Sequence, residues 1–435
     1  MVCPDCEGLA RRVAELEKLV LLLQAKNAEL EKRLLAYENA HTPSSLSRRK
    51  REPREKTGNP PGAPQGHEGT TRPVPEPNKT VNVEPAERCS CCDEKLEKPT
   101  GFLERIITDL PDILPLLVTL FRLPVQVCKK CRTKNIATHS DLPTNGQFGY
   151  NSLALVAMLR HKGRLPCEKV ADFLENVFHL KITPATVLEL DTRTAKKLSG
   201  KYEQLKKSMR KARYSYTDET GAKVNGKRHN TWVFTNQDTT LLVTRKSRGK
   251  NVLEEILGKK YAGQIICDGH RAYSNFTNRL QRCWAHPLRE VKYLAKDFLE
   301  AVPLHDELKN LYAWAVERYR KRLNKKQRYS LWVRARHRLR QTLEKYAREK
   351  KLEKFLQKMH NGFDHWFTFI LHPELEPTNN RAERALRETV VQRKIFGCWR
   401  NKKGTGNHDI LTSLIATWQQ RGLNPYHQLL TSLKS

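Results

Sequence analysis

The chain has 435 residues and carries 80 lysine and arginine side chains against 47 aspartate and glutamate side chains, a formal net charge of +33. An excess of this size is typical of proteins that bind nucleic acid, because neutralised phosphates release their counterions. No apolar run approaches the roughly 20 residues that span a bilayer, and the first residues alternate charge and leucine, unlike a signal peptide, so we expect neither a membrane protein nor an exported one.

The length predicts about three domains, and the succession of patterns indicates an α+β multidomain protein. With 11 cysteines and no export signal, a reducing compartment is expected, where paired cysteines hold metals more often than they form disulfides. We therefore expect a cytoplasmic, nucleoid-associated protein whose main partner is DNA.

Residues 9–37 carry a heptad repeat. Leucine recurs every seven residues from Leu9 to Leu30, and the positions four residues after each leucine are Val13, Val20, Asn27 and Leu34. Leucine at d with valine at a favours two parallel strands, and Asn27 at an a position fixes register and oligomer state. Residues 1–40 are thus predicted to be a leucine-zipper coiled coil that makes a homodimer, with a single amphipathic helix packed on its own domain as the alternative. The segment has 6 basic and 7 acidic side chains, so we do not expect the zipper itself to bind DNA.

Residues 41–88 are rich in proline, glycine and basic residues and hold almost no large apolar ones. This composition predicts a flexible linker. Its basic cluster consists of Arg48, Arg49, Lys50 and Arg51. Adjacent cations of this kind predict sequence-independent contacts with DNA phosphates.

Two CxxC pairs follow the linker, with 35 residues between them. The four cysteines are Cys89, Cys92, Cys128 and Cys131. Two tight turns with four thiolates can hold one Zn²⁺ tetrahedrally, so residues 89–140 are predicted to be a zinc-finger-like module with strands at Leu103–Ile107 and Leu116–Leu120. Because Cys91 is adjacent, the spare thiol near position 90 is either Cys91 or Cys89. Free buried cysteines in a small hydrophobic domain are the alternative.

Residues 141–210 have a helical pattern, with helices predicted over 153–161 and 167–176 and a third beginning at Thr183-Pro184. Threonine before proline is a favourable N-cap and N1 pair. The arrangement fits a helix-turn-helix whose last helix enters a major groove. A plain helical packing domain is an equal alternative, because no base-reading side chain is identifiable.

Two predicted strands end in acidic residues. Tyr214–Thr220 ends in Asp218-Glu219-Thr220, and the apolar segment Gln264–Cys267 is followed by Asp268-Gly269. Positions 214, 216 and 218 share one face of a strand, so Asp218 rather than Glu219 is the candidate ligand. Asp-Gly is also a common turn pair, so Asp268 on its own would be interpreted as a turn residue.

Further elements lie around these strands. They are a hairpin of 230–235 and 239–244, a helix over 250–257 and a strand over 280–284. This order of elements is the layout of a ribonuclease H-like α/β nucleotidyl-transfer domain: a strand with Asp, a hairpin, a helix, a second strand with Asp, a short helix and a strand. We assign residues 211–405 to this catalytic domain, with a helical insertion at 287–372.

The insertion is strongly basic. Residues 318–351 hold 15 basic and 2 acidic side chains, interleaved with aromatic ones. Charge of this density repels itself unless a polyanion is bound, so a DNA-holding surface is predicted there. The candidate contacts are Arg334, Arg336 and Arg338.

A helix that begins after Pro377 places one carboxylate among cations. Thr378, Asn379 and Asn380 are all favourable N-cap residues. One face of this helix carries Glu383, Arg387, Val390 and Lys394. Residues 384–403 hold 7 basic side chains and 1 acidic one, which predicts DNA backbone contacts at Arg393 and Lys394. Residues 406–435 are predicted to be a C-terminal helical tail.

Five motifs occur in an order that resembles the insertion sequence 66 family of DDE transposases. They are Asp218-Glu219-Thr220, Cys267-Asp268-Gly269, Cys283-Trp284-Ala285-His286, Asn379-Asn380-Arg381-Ala382-Glu383-Arg384, and the tail segments Ser413-Leu414-Ile415 and Leu423-Asn424-Pro425-Tyr426. The resemblance covers nearly the whole chain and implies that Asp218, Asp268 and Glu383 are the catalytic triad. It also implies a zinc-finger-like module and accessory transposition proteins as possible partners.

The chemistry requires such residues independently of the family. Strand cleavage and transfer need an activated oxygen nucleophile and a stabilised leaving oxygen, which two Mg²⁺ or Mn²⁺ ions about 3.5–4 Å apart supply. Carboxylates are the hard ligands that these ions prefer. His286, Arg387 and Lys394 are secondary candidates, with a structural role for His286 equally open. We expect a transposase that acts on transposon ends and target DNA; the alternative is a catalytically silent DNA-binding protein, either a decayed transposase or a repressor.

Overall fold

The structure is a computed structural model. It describes residues 116–127 and 129–435, together with short pieces at 12–13, 16–17, 20–21, 23–28, 76–77, 80–81, 88 and 91–95. Residues 117–435 belong to one compact unit and residues 43–116 to a second. Across the described ranges, no helix has the length and apolar character needed to cross a bilayer.

Both CxxC motifs are flanked by paired backbone. Strands β1 (Val125–Val127) and β2 (Lys134–Ile136) are antiparallel, and Cys131 lies in the turn that joins them. In the second unit, Arg88 and Lys95 form an antiparallel bridge across the turn that contains Cys92. Cys89 and Cys128 lie outside the described residues, so the zinc site stays a prediction.

The strand predicted at Leu116–Leu120 is wrong. These residues adopt no regular structure, and Leu117 and Val118 are 91% and 88% exposed. The strands form instead beside the second CxxC, where a short turn brings β-branched neighbours of the same segment together. The other predicted strand, Leu103–Ile107, lies outside the described residues.

Between residues 129 and 213, all of which the structure describes, three helices precede the sheet: α1 (Tyr150–His161), α2 (Cys167–Phe178) and α3 (Pro184–Arg210). The Thr183 side chain accepts a hydrogen bond from the backbone N–H of Thr186 at 3.2 Å, so the predicted cap and N1 proline pair is confirmed. The three helices bury their apolar faces in one hydrophobic cluster.

A five-stranded sheet lies at the centre of the unit, with strand order β5-β4-β3-β6-β7. The strands are β3 (Tyr214–Val224), β4 (Lys227–Thr235), β5 (Thr240–Arg245), β6 (Gln264–Cys267) and β7 (Leu280–Arg282). Helices α4 (Lys250–Leu257) and α5 (Arg271–Ser274) lie between β5 and β7 in the chain. β3, β4 and β5 pair antiparallel, whereas β3, β6 and β7 pair in parallel.

β3 is longer than predicted. It continues past the acidic residues to Val224 and pairs with β4 along this whole length, although its pairing with β6 ends at Tyr216. The acidic and polar residues from Asp218 onward suggested the end of a strand. They continue β3 because β4, which follows it in the chain, pairs with them. The strand therefore extends beyond its parallel neighbour at the level of Asp218.

The predicted insertion is helical. Its helices are α6 (Ala285–Asp297), α7 (Ala301–Tyr319), α8 (Lys325–Lys345), α9 (Glu353–Asn361) and α10 (Thr368–Leu371). A capping box between Asn324 and Gln327 defines the start of α8. Three further helices complete the chain: α11 (Asn380–Phe396), α12 (Lys402–Gln420) and α13 (Pro425–Lys434).

Helices cover both faces of the sheet. Alternate strand residues enter different clusters: Trp232 and Phe234 pack with α1–α3 and α12–α13, whereas Val233 packs with the insertion and α11. This is the period-two alternation of a strand buried on both sides. The architecture is therefore a mixed α/β arrangement with one sheet between two helical layers.

Helix α12 also covers the edge of the sheet. Backbone N–H groups of β5 donate to side chains of α12: Thr240 to Thr417, Leu242 to Ser413 and Thr244 to Asp409, at 3.1, 2.8 and 2.7 Å. The acceptors are spaced four residues apart, so they lie on one helical face. An edge strand that would otherwise expose unpaired N–H groups is thereby closed.

Within the predicted zipper, residues 12–13, 16–17, 20–21 and 23–28 are helical and exposed. The a and d side chains among them remain 49–58% exposed: Val13, Leu16, Val20 and Leu23. The described part of this helix thus presents an apolar stripe, and the homodimer stays a prediction.

Candidate active site

Asp218 lies on β3, and Asp268 directly follows the parallel neighbour β6 at the same level. Tyr216 of β3 pairs with Ile266 of β6, and each aspartate follows two residues later. Neighbouring strands lie about 4.8 Å apart, so the two side chains come from positions side by side at one end of the parallel ladder. Both aspartates are partly exposed, although Thr217 and Cys267, which precede them, are buried.

Glu219 points away from this group. Its carboxylate, whose side chain is 2% exposed, accepts hydrogen bonds from Arg248 Nε at 2.8 Å and from the Tyr273 hydroxyl at 2.6 Å. The strand alternation used to choose between Asp218 and Glu219 is therefore observed. Glu219 is fully engaged in contacts within the fold.

Asn379, at the start of α11, positions the helix turn that carries Glu383. Asn379 is fully buried; its Nδ2 donates to the carbonyl of Thr217 at 2.9 Å, and its backbone N–H donates to Cys283 Sγ at 3.1 Å. Glu383 lies in the first turn of the helix. Asn379 thus joins the segment before Glu383 to the strand residue that immediately precedes Asp218.

The role of Asn379 differs from the one predicted. It occupies the N-cap position of α11, but its side chain makes no capping hydrogen bond. Tertiary contacts with β3 compete successfully for the side-chain amide. Sequence reasoning missed this bridge because its partners lie far away in the chain; its only local signal was a helix start with three alternative caps.

The electrostatics of the three acids are coupled. The pKa of Asp218 is raised to about 7, mainly by burial and also by the negative charges of Glu219, Asp268 and Glu383; the hydrogen bond from the Glu219 backbone opposes the rise. That hydrogen bond, from Glu219 N to Asp218 Oδ1, is 2.9 Å long. The neighbouring carboxylates thus make it costly for Asp218 to carry its own charge in the metal-free pocket.

Such a group of carboxylates fits divalent cations. Among the described residues, the oxygens of Asp218, Asp268 and Glu383 do not all lie within 4.8 Å of one another. One small cation would therefore not contact all three without side-chain movement, whereas two cations about 3.5–4 Å apart use a wider set of ligands. Oxygen ligands from separate elements are the donor set that Mg²⁺ prefers.

His286 lies beside Glu383. Its Nε2 is 3.7 Å from Glu383 Oε1, too long for a hydrogen bond. Among the described residues, its buried Nδ1 has no hydrogen-bond partner. The other secondary candidates lie along α11, where Arg387 and Lys394 are exposed; Arg393 donates to Thr220 Oγ1 at 3.3 Å.

The structure separates the three arginines predicted to contact DNA. Arg336 pairs with Asp364 and stacks over Trp332, with its Cζ 4.3 Å from the ring centroid. Arg338 lies over Trp314 at the same distance. Arg334 is exposed and lines a cavity of about 520 Å³ with three other cations. The other cations are Arg318, Lys321 and Lys326.

The predicted basic cluster at Arg48, Arg49, Lys50 and Arg51 lies outside the described residues. Along α12, sequence reasoning missed the three acceptors that cover β5. Their spacing of four residues was the available signal, but it identifies a helical face without showing what that face contacts.

Comparison with known proteins supports the resemblance over the central part of the chain. The family model for the IS66 family of transposases matches residues 145–407, a range that contains Asp218, Asp268 and Glu383. A search of curated proteins found no match. The family consists of DNA-acting enzymes and implies the use of a divalent metal. Because the match extends over more than half of the chain, this protein belongs to the IS66 transposase family.

Proposed function

We propose that this protein is a DNA transposase that binds transposon ends, cleaves DNA strands and joins 3′ ends to target DNA, through a DDE site on a ribonuclease H-like domain. The observation that supports the proposal is that the charges of Asp268, which follows β6, and of Glu383 in α11 act on the pKa of Asp218 in β3. Their context is a chain of the IS66 family.

Each acid has a distinct structural support. Asp218 and Asp268 extend from adjacent strands, which hold their backbones rigidly. Glu383 approaches from the first turn of α11, which Asn379 ties to β3. Paired Mg²⁺ or Mn²⁺ ions, when bound, would activate the attacking oxygen and stabilise the leaving oxygen. His286 lies near enough to Glu383 to orient its carboxylate or to contact a scissile phosphate.

The DNA-holding surface is proposed on α7, α8 and α11. The exposed cations Arg334, Arg387 and Lys394 are better phosphate ligands than Arg336 and Arg338. These last two make stacking contacts within the fold. The linker cluster at residues 48–51 adds further phosphate contacts. The segment α2–α3 is proposed to read transposon-end DNA as a helix-turn-helix.

We propose that the zipper and the cysteine module support assembly of the active complex. The apolar stripe in the zipper would pair two copies, which brings two transposon ends together. Cys89 or Cys91, with Cys92, Cys128 and Cys131, would bind a structural Zn²⁺. Both are supported by sequence pattern and by the local turns and helix described above. Cytoplasmic action on the nucleoid follows from the same proposal, and accessory transposition proteins remain candidate partners.

The test is a cleavage and strand-transfer assay with DNA that contains element ends. The unmodified chain should cut and join only with Mg²⁺ or Mn²⁺, and Asp268→Asn should lose at least about 100-fold in rate because a metal ligand is removed. Asp297→Asn, at an exposed aspartate that ends α6, is the matched control. DNA binding without a metal-dependent product would favour a silent DNA-binding protein, and cleavage without joining would favour a nuclease.

A further inference from the structure

A second donor group shares Glu383 with the acidic triad. The Cys283 sulfur, a ring nitrogen of His286 and a carboxylate oxygen of Glu383 all lie within 4.8 Å of one another. In the part of the chain that the structure describes, this is the one group of three histidine, cysteine or acidic residues at such a spacing. The donors of a tetrahedral zinc site lie about 3.3–3.8 Å apart, given bonds of about 2.0–2.3 Å, so small side-chain rotations would close the group.

The donor types differ from those of a magnesium site. Sulfur and imidazole are soft or intermediate ligands that select Zn²⁺ and related ions, whereas Mg²⁺ takes oxygen ligands. One cysteine, one histidine and one glutamate leave a fourth tetrahedral position for water or another ligand. The group therefore suits a different cation from the one expected between Asp218 and Asp268.

The backbone already holds two of the donors in place. Cys283 directly follows β7, and its N–H donates to the carbonyl of Cys267 at 2.9 Å. Its sulfur accepts hydrogen bonds from the backbone N–H groups of Asn379, Ala285 and His286. Burial raises the pKa of the Cys283 thiol, and these N–H donors oppose that rise. The donors hold the sulfur in place for a metal, whose binding would displace the thiol proton. The Cys-x-x-His spacing places His286 in the first turn of α6 beside this sulfur.

The histidine is not committed to another structural role. Its Nδ1 is buried without a hydrogen-bond partner among the described residues, and its Nε2 faces Glu383 at 3.7 Å. A buried polar atom with no partner is costly. Metal binding at one ring nitrogen, followed by a small reorientation of the ring, would remove part of that cost.

We propose that Cys283, His286 and Glu383 form a site for a thiophilic divalent cation such as Zn²⁺, and that occupation withdraws Glu383 from Asp218 and Asp268. The second half of this inference rests on the proposed function. Zinc would then inhibit the magnesium-dependent reaction, because the two cations compete for one carboxylate. The site is thus a regulatory counterpart of the acidic triad.

The binding test uses Co²⁺ as the probe with the full-length chain. We expect a thiolate-to-cobalt absorption band and one bound equivalent more in the unmodified chain than in Cys283→Ser or His286→Ala, in the presence of millimolar Mg²⁺. The exposed Cys398 provides the control Cys398→Ser, which should bind as the unmodified chain does. His286→Ala leaves the buried cysteine intact, so a folding defect at position 283 does not decide the result. Equal cobalt binding by all four chains would overturn the inference.

The inhibition test keeps this inference separate from the proposed function. Zinc should inhibit cleavage by the unmodified chain, with a half-inhibitory concentration that rises as Mg²⁺ is raised. His286→Ala, normalised to its own activity, should need at least about tenfold more zinc. Inhibition that is independent of Mg²⁺ and of His286 would contradict competition at Glu383. If no chain cleaves DNA, the proposed function fails while the cobalt comparison still decides whether the site binds metal.

Discussion

At Asp218, the environment suited to cation binding lowers the stability of the metal-free chain. Its pKa of about 7 lies well above the ordinary aspartate value of 3.8. The unfolded chain therefore loses the proton first, and native stability falls as pH rises from about 4 to about 7. Above about pH 7 the ionised Asp218 destabilises the native state by its full amount, and below about pH 4 it does not destabilise it.

We predict that Asp218→Asn stabilises the metal-free chain at pH 8 by about 1–3 kcal/mol. The reason is that asparagine carries no charge among Glu219, Asp268 and Glu383. Thermal unfolding in chelator should show the difference at pH 8 and lose it near pH 4, with Asp297→Asn unchanged at both. A variant less stable than the unmodified chain at pH 8 would contradict this reading of the acidic pocket.

Asn379 tests whether the start of α11 is positioned by β3. We expect Asn379→Ala to lower stability by about 1–3 kcal/mol, since a buried carbonyl at Thr217 loses its donor. It should also raise the Mg²⁺ concentration for half-maximal cleavage several-fold, because Glu383 is less well placed. Titration with Mg²⁺ measures this effect separately from the loss of folded protein.

The matched control is the next residue. Asn380→Ala changes an exposed asparagine and should leave both the stability and the Mg²⁺ requirement close to those of the unmodified chain. Equal effects of the two substitutions would show that Asn379 acts only as an ordinary residue of a helix start.

Strand alternation predicts that Asp218 and Glu219 point to opposite faces of β3, and the contacts of Glu219 with Arg248 and Tyr273 agree with it. The choice of Asp218 as the metal ligand stays a prediction. The bridge made by Asn379 was not predictable, since Thr217 is 162 residues away and the local pattern offered three equivalent caps. Residue patterns predict which way a side chain points within its own element. They do not predict which distant backbone group it meets.

At the scale of elements, α12 protects the edge of the sheet. The hydroxyl of Thr417 accepts from Thr240 N–H at 3.1 Å and donates to Thr240 C=O at 3.0 Å. We predict that Thr417→Val lowers the free energy of unfolding by about 1–3 kcal/mol, because two buried backbone groups lose their partner. Denaturant unfolding measures the loss. Thr431→Val, at an exposed position of α13, should change it by less than about 0.5 kcal/mol.

Basic helix α8 contains arginines with different tasks. We predict that Arg334→Glu weakens DNA binding and reduces the salt dependence of the affinity by about one unit of slope. The free energy of unfolding should not change, since this side chain is exposed.

Arg336→Ala should lower stability, because Arg336 stacks over Trp332 and pairs with Asp364. DNA affinity measured at several salt concentrations separates these effects. Lys260→Glu, at an exposed lysine outside this helix, is the charge control; an equal loss of affinity would indicate a nonspecific effect of net charge.

Local sequence patterns predicted the helices and strands correctly where the spacing of apolar residues and the turn residues indicated the same element. The hairpin after β3 and the helix over 250–257 are present as expected. The end of β3 and the strand at 116–120 were wrong, because both depend on whether a partner strand is available. Pairing is a property of the sheet, and a single segment does not encode it.

At the scale of the whole molecule, the fold gathers distant acids. Asp218 and Asp268 have neighbouring backbone positions because β3 and β6 are parallel neighbours. The charge of Glu383 acts on Asp218 because a long helical insertion returns the chain to β3, where Asn379 at the start of α11 donates to Thr217. The succession of elements was readable from the sequence, and the resemblance to IS66 transposases is confirmed by the family match. The precise separation of the three carboxylates was not readable, because it depends on packing on both faces of the sheet.

The most direct test of the central claim is a crystal structure of the full chain soaked with Mn²⁺, with anomalous scattering used to locate the metal. We expect two manganese peaks about 3.5–4 Å apart, bound by Asp218, Asp268 and Glu383. The result that would contradict it is a chain without manganese at these residues, or with the three carboxylates more than about 10 Å from one another.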